Sequence, residues 1–267
     1  MGVAHPEGEG DGQLQLHPDA RHIEDEMVHW AETHLATSAS ADAPSTVGFH
    51  VLDYDTPRRR LLERRGYERL AGGGMHRRLR LGNRRVPRPQ VADGYTIRST
   101  RPGDESDHAR MAAVLNAGFG RTVHTAIEYQ TFAAESPSFE PELNLVAVAP
   151  DGSFAAHVGC TLDALNQRGI FEPVCTHADH RRRGLALALM VEGLNRLRRI
   201  GAVDVYVETG DRVAANALYE AAGFTEAYRG HYWRKTSSGG RPSESPDAPA
   251  LDSADGRASD SPNADAS

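Results

Sequence analysis

The chain has 267 residues, a formal net charge of −7 and 39% hydrophobic residues, enough for one large domain or two modest ones with a real core. Its two cysteines, Cys160 and Cys175, sit in apolar strand-like runs, which argues against a disulfide framework and for reduced, buried thiols in a cytoplasmic protein. No apolar run is long enough to span a bilayer, the stretch MGVAHPEGEGDG has neither the basic nor the apolar region of a secretory signal, and no Cys/His spacing predicts a metal.

In chain order, QLQLHPDAR (13–21) reads as a strand running into His-x-Asp. IEDEMVHWAETHL then reads as a helix, VGFHVLDYD as a strand, PRRRLLERRGYERL as a helix and GGGMHRRLRL as a turn and strand. LGNRRVPRPQVADG (81–94) is an extended linker at its prolines. YTIRSTRPGD is a strand ending in a turn. ESDHARMAAVLNAGF spaces Met111, Val114, Leu115 and Phe119 as a helix, and TAIEYQTFAAE is a second, shorter one. Two alternating strands flank Pro150-Asp151-Gly152, a hairpin signal. GIFEPVCTH is a strand made irregular by Pro173. A helix over 184–199 carries Leu187, Val191, Leu194 and Leu197 on one stripe and stops at Gly201. AVDVYVE is a strand, DRVAANALYEAAGF a helix stopped by Gly223, and TEAYRGHYWRK a closing strand. The 95–235 order, β-α-α-β-β-β-α-β-α-β, predicts a mixed α/β (α+β) layer fold with a mainly antiparallel sheet flanked by helices. Residues 236–267, rich in Ser, Pro, Ala, Asp and Gly, hold six acids and two arginines and read as a disordered acidic tail.

Within 95–235 one stretch combines charge with a helix start: HRRRGLALALM, residues 180–190. The first N–H groups of a helix lack intrahelical partners and form an anion site. Gly184 and Ala186 keep the approach to that backbone clear, and Arg181, Arg182 and Arg183 supply positive charge. The basic residues are 29 arginines and one lysine, Lys235, so the arginines weigh less than the small residues. Alone, an RRRG helix start is more often a solvated face. A later helix carries Asn216 and Tyr219 three residues apart.

Arg181-x-x-Gly184-x-Ala186 between a strand and a helix, followed by the Asn-x-x-Tyr helix, resembles the GNAT family of acetyl-CoA-dependent N-acetyltransferases over 95–235. The resemblance implies transfer of an acetyl group to a primary amine, with acetyl-CoA as cosubstrate and no metal. The acceptor would be a small molecule or peptide amine, selected by loops around 119–140. Pyrophosphate would lie on Arg181, Arg182, Arg183, Gly184, Leu185 and Ala186, and pantetheine beside Val174, Cys175 and Thr176, with Asn216 near it. Tyr219 would protonate the leaving thiolate, and a backbone N–H near Cys175 would hold the oxyanion. Glu172, acting through a water, is the preferred base, with His124, Glu128 and Glu208 as further candidates.

The first third reads as a partial second copy. LLERRGYE (61–68) lines up with LYEAAGFT (218–225), and 13–21 with 172–181. The copy puts Leu62 at the position of Tyr219 and Arg59 at that of Asn216. Where the glycine loop would be stand Arg21-His22-Ile23-Glu24-Asp25-Glu26, whose carboxylates repel a pyrophosphate. This is similar to tandem two-domain GNAT proteins of the mycothiol synthase-like kind. It gives a degenerate partial domain at 1–82, a linker at 83–94 and a catalytic domain at 95–235. Residues 58–88 hold twelve arginines, but Glu63 and Glu68 intervene and no aromatic pattern accompanies them. Solvated helix and strand faces are therefore favoured over nucleic-acid binding. A CoA-binding regulatory module without catalysis is the alternative class, and retention of Tyr219 argues against it.

Overall fold

The computed structural model describes residues 1–8, 10–38, 44–82 and 84–237. All ten strands join one sheet in the order β1-β2-β3-β10-β4-β9-β8-β7-β6-β5. The first part contributes β1 (Gly2–Gly8), β2 (Asp11–Leu16), α1 (Glu24–His34), β3 (Ser45–Leu52), α2 (Thr56–Arg64) and β4 (Glu68–Arg80). The rest follows the predicted order: β5 (Thr96–Ser99), α3 (Glu105–Phe119), α4 (Ala126–Glu135), β6 (Asn144–Val148), β7 (Phe154–Asp163), β8 (Arg168–Thr176), α5 (Leu185–Arg199), β9 (Asp204–Gly210), α6 (Val213–Ala222) and β10 (Glu226–Ser237). The pairs β2–β3 and β8–β9 are parallel and the others antiparallel.

Local signals explain most boundaries. Asp104 caps α3 by accepting from the Ser106 N–H. Thr125 and Glu128 form a capping box on α4. α6 stops at Gly223 in the left-handed region. Two readings are corrected. The glycines 72–74 lie inside β4 rather than in a turn before it, and the helix read over 57–70 ends at Arg64, with β4 starting at Glu68. Of the tail read from 236 onward, the first two residues end β10; residues 238–267 lie outside the described ones.

The last strands are exchanged. β10 follows α6 in sequence, yet it pairs with β3 as well as β4. β4 follows α2, yet it pairs with β9. An approximate two-fold axis passes through the facing pair Gly74 and Gly230. Around it, Met75 faces Thr209 as His231 faces Val51, and Arg77 faces Val207 as Trp233 faces Phe49. Strand alternation then assigns the faces. Val47, Phe49, Val51, Leu79, Val205 and Val207 lie on one face, in cores closed by α1 and α2 at one end and by α5 and α6 at the other. On the opposite face α3 and α4 pack over Val146, Phe154 and Cys175.

Candidate functional site

β8 and β9 pair in parallel from Arg168–Asp204 to Phe171–Val207, and there the ladder stops. β8 continues to Thr176 with β7 as its neighbour. The two strands therefore part, leaving a cleft with one backbone edge unpaired. His177 N–H donates to Ala155 O on the β7 side. Alternation sends the Cys175 N–H to β7 as well and turns the polar backbone groups of Val174 and Thr176 toward the cleft. Of the three residues expected to flank pantetheine, Val174 and Thr176 thus present the hydrogen-bonding edge. The Cys175 N–H points to β7, so an oxyanion donor near Cys175 would be one of its neighbours on the strand.

The cleft runs to the start of α5. His177 accepts the Asp179 N–H at 3.2 Å, closing a tight turn. Arg182 (φ 65°) and Gly184 (φ 73°) then both adopt the left-handed conformation. Gly184 is the N-cap of α5 and has no capping side chain. The leading N–H groups of Leu185 and Ala186 are left for a ligand, at the positive end of a fifteen-residue helix. Arg181 donates to Gly118 O at 3.1 Å and Thr176 O at 3.5 Å, pinning the loop to α3 and β8. The Arg183 guanidinium lies 6.0 Å from the Tyr95 ring centre and lines a groove of about 540 Å³ with Gly184, Leu187 and linker residues Pro87 and Arg88. Arg182 is exposed.

Past the last ladder pair, Glu172 and Glu208 are the next residues on each strand. Burial, and then the charge of Glu208, raise the Glu172 pKa above the ordinary carboxylate range. Tyr219, on α6, is 5% exposed. Burial and the charge of Glu172 push its phenol up to about 12, so it holds its proton at neutral pH. Glu172 also lines a cavity of about 210 Å³ under α4, with His124, Glu128, Tyr129, Phe132 and Phe139 among its walls. The His124 Nδ1 is 3.3 Å from the Glu128 carboxylate. Three of the four candidate bases therefore share one cavity. Glu208 stands apart, 3.0 Å from His76, and that contact holds its carboxyl below the usual range. Burial pushes the Cys175 thiol up to about 12 and Cys160 higher still; both are buried, free and protonated.

Asn216 is placed differently from expectation. Its amide donates to Gly210 O and Arg212 O, closing the β9–α6 turn, and its Oδ1 accepts from Arg77 of β4 at 2.9 Å. It is committed to the protein rather than to the cleft. Arg77 is a buried residue beside the site that the sequence reading missed. It is 5% exposed and also donates to Phe224 O and to Glu220. Its place among twelve arginines hid it, and reading all of those as solvated faces is corrected here and at Arg58, which is held by Glu24 and Leu14 O.

The first part repeats the turn without the site. His17 accepts the Asp19 N–H at 3.3 Å, as His177 does with Asp179. No glycine follows: Ile23 is a right-handed N-cap, and α1 begins at Glu24, 3% exposed and bound by Arg21 and Arg58. A carboxylate of the chain itself stands at this helix start. Leu62 is fully buried, and Arg59 donates to Asp53 O, tying α2 to the end of β3.

Residues 113–224 match the family model described as Acetyltransferase (GNAT) family. Among solved structures, a GCN5-related N-acetyltransferase from Sphaerobacter thermophilus is 25% identical with TM-score 0.68, over 88% of this chain and 76% of that one. A tandem GNAT protein from the clavulanic acid biosynthesis pathway is 18% identical with TM-score 0.64, over 88% and 78%. A GNAT-family acetyltransferase from Colwellia psychrerythraea is 14% identical with TM-score 0.58, over 88% and 81%; these last two share the fold. No protein of curated function matches the sequence. Among the described residues no helix is long and apolar enough to cross a membrane.

Proposed function

We propose that this chain, an acyltransferase with a GNAT acetyltransferase domain over residues 113–224, transfers the acetyl group of acetyl-CoA to a primary amine by direct attack in a ternary complex. One observation carries the reading. The β8–β9 ladder opens after Phe171–Val207, and the opening leads from an uncapped helix start to a proton-holding tyrosine and a carboxyl of raised pKa. The pyrophosphate rests on the N–H groups of Leu185 and Ala186, with the arginines at 181–183 around it. Pantetheine pairs with the free edge of Val174 and Thr176. Glu172 accepts the proton of the attacking ammonium, directly or through a water. The amine nitrogen bonds to the acetyl carbonyl carbon, the C–S bond breaks, and Tyr219 protonates the departing thiolate. A phenol near 12 keeps its proton until that thiolate develops.

The acceptor enters from the Glu172 cavity, whose aromatic walls suit a small molecule or peptide amine with an apolar body. Residues 1–82 act as a partial copy without catalysis, 83–94 as linker and 95–235 as the catalytic unit, a tandem arrangement of the mycothiol synthase-like kind. The exchange of β4 and β10 and the Glu24 carboxylate at the α1 start support this division. Two buried free thiols suit the cytoplasm. The test is thiol release from acetyl-CoA over an amine panel, with thermal stabilisation by acetyl-CoA measured alongside. Absence of stabilisation overturns the cofactor; stabilisation without turnover on any amine favours a CoA-responsive regulatory module.

A further inference from the structure

The second sheet face carries a cluster of which the acetyl-transfer reading uses only the charge of Glu208. His50 on β3, His76 on β4 and Glu208 on β9 each bring one ligand-type atom to a common point, and these atoms all lie within 4.8 Å of one another. His76 Nε2 is 3.0 Å from Glu208 Oε1. The strand order explains why this is unusual: β10 lies between β3 and β4, so His50 must reach across a whole strand. It does so over Gly230. A Cβ there would lie 2.6 Å from the His50 Cε1 and Nε2, and one at Gly74 would lie 3.1 Å from Nε2. The glycine pair on the approximate two-fold axis is thus a cradle for the imidazole. The Tyr232 ring centre lies 5.1 Å from that of His50.

Within that cradle the hydrogen bonding is incomplete. The Nε2 atoms of both His50 and His76 are buried and make no well-directed hydrogen bond. A buried ring nitrogen without a hydrogen-bond partner costs about 1–3 kcal/mol, and that cost falls on His50, whose ligand atom lies within 4.8 Å of those of His76 and Glu208.

We propose that His50, His76 and Glu208 bind a divalent transition-metal ion, Zn²⁺ in the first place. Two imidazoles and a carboxylate form an N,N,O set that suits Zn²⁺ rather than Mg²⁺ or Ca²⁺, which prefer oxygen ligands. Zn–N and Zn–O bonds are about 2.0–2.2 Å long, so the three atoms close on an ion by small side-chain rotations. Three protein ligands leave a fourth position on the exposed side of Glu208 for water or a ligand. The ion ties β3, from the first part of the chain, to β9, which borders the cleft. Sequence spacing gave no hint of it, because the three residues come from three separate strands.

The test uses the full chain, freed of any affinity tag and stripped with a chelator. Titration with Co²⁺ is followed by its visible d–d absorption, and with Zn²⁺ by melting temperature. The expected result is one tight equivalent of Co²⁺, a melting temperature raised by Zn²⁺ and unmoved by Mg²⁺, and affinity lowered more than ~100-fold in His76→Gln, beyond the ~10–100-fold cost of outer-shell changes. Glu208→Gln, at an exposed position, is the fold-neutral second variant and should weaken Co²⁺ in the same direction. No stoichiometric uptake, or uptake equal in wild type and both variants, overturns the proposal.

Discussion

Arg77→Met tests whether the first part of the chain supports the helix that carries Tyr219, the proposed acid. Arg77 belongs to β4, yet its guanidinium ends on α6: Nε to Asn216 Oδ1 at 2.9 Å, Nη1 to Phe224 O at 3.1 Å and Nη2 to Glu220 at 2.7 Å. Methionine keeps most of the stem and removes all three donors. Glu220 is 62% exposed, so that ion pair is worth about 0–1 kcal/mol. Asn216 Oδ1 turns to water at little cost. The Phe224 carbonyl bond is buried, and losing its donor costs about 1–3 kcal/mol. The sum, about 1–4 kcal/mol, lowers the melting temperature of a domain of this size by roughly 2–16 °C. The functional consequence is larger than a surface change would give, because Tyr219 lies next to Glu220 on the released helix. A displacement near 1 Å costs about 10²-fold in rate. The variant is measured by thermal unfolding and by thiol release at saturating acetyl-CoA. A melting temperature within ~2 °C of wild type, with unchanged turnover, refutes the reasoning.

Tyr219→Phe should cut turnover by about 10²–10⁴-fold and leave stabilisation by acetyl-CoA intact; unchanged turnover removes the phenol from the mechanism. Gly184→Val places a β-branched residue at φ 73°, a strain of about 1–2 kcal/mol. No atom lies within 4 Å of the new Cβ, so the unliganded fold survives while acetyl-CoA affinity drops at least ~10-fold; equal affinity by calorimetry would count against the helix-start site. The carboxyl of Glu172 has a raised pKa, chiefly from burial, and works deprotonated. Activity therefore falls as pH drops through a value above the ordinary carboxylate range of about 4.3. In Glu172→Gln that acidic limb disappears along with most of the rate; a wild-type limb at the ordinary carboxylate pKa would show that another group is the base.

The cleft side of the molecule was legible in the sequence because its signals are local. Pro150-Asp151-Gly152 marks its hairpin, Gly184 starts α5, Gly223 stops α6, and each works within a few residues of the structure it causes. The central strands were not legible in the same way. Alternation says that β4 and β10 are strands and which residues share a face, but it carries no address for a partner far along the chain. Gly72-Gly73-Gly74 read as a turn because glycine is the usual turn residue. In the sheet it serves close approach: a Cβ on Gly73 would lie 2.3 Å from Gly230 O. Arginine misled in the other direction. In a chain with 29 of them, no local pattern separates Arg77, sealed against α6, from Arg80, which is 68% exposed beside Glu226.

The two helix starts, compared at matching turns, explain how one architecture can hold an anion site in one half and dispense with it in the other. Both begin after a histidine that accepts a backbone N–H two residues on. After His177 the chain spends its next residues on exposed arginines and a left-handed glycine, leaving the first N–H groups of α5 unsatisfied and accessible. After His17 a 3-10 turn over Pro18–Ile23 leads into α1 without a glycine, and the buried Glu24 carboxylate accepts from Arg21 at 2.8 Å and from Arg58. The same requirement, a negative charge near arginines at a helix N-terminus, is met in the second case from within the chain and in the first falls to the proposed pyrophosphate. What the first part of the chain still supplies is mechanical: β4 completes the sheet beside β9, and Arg77 carries that support to the helix bearing Tyr219.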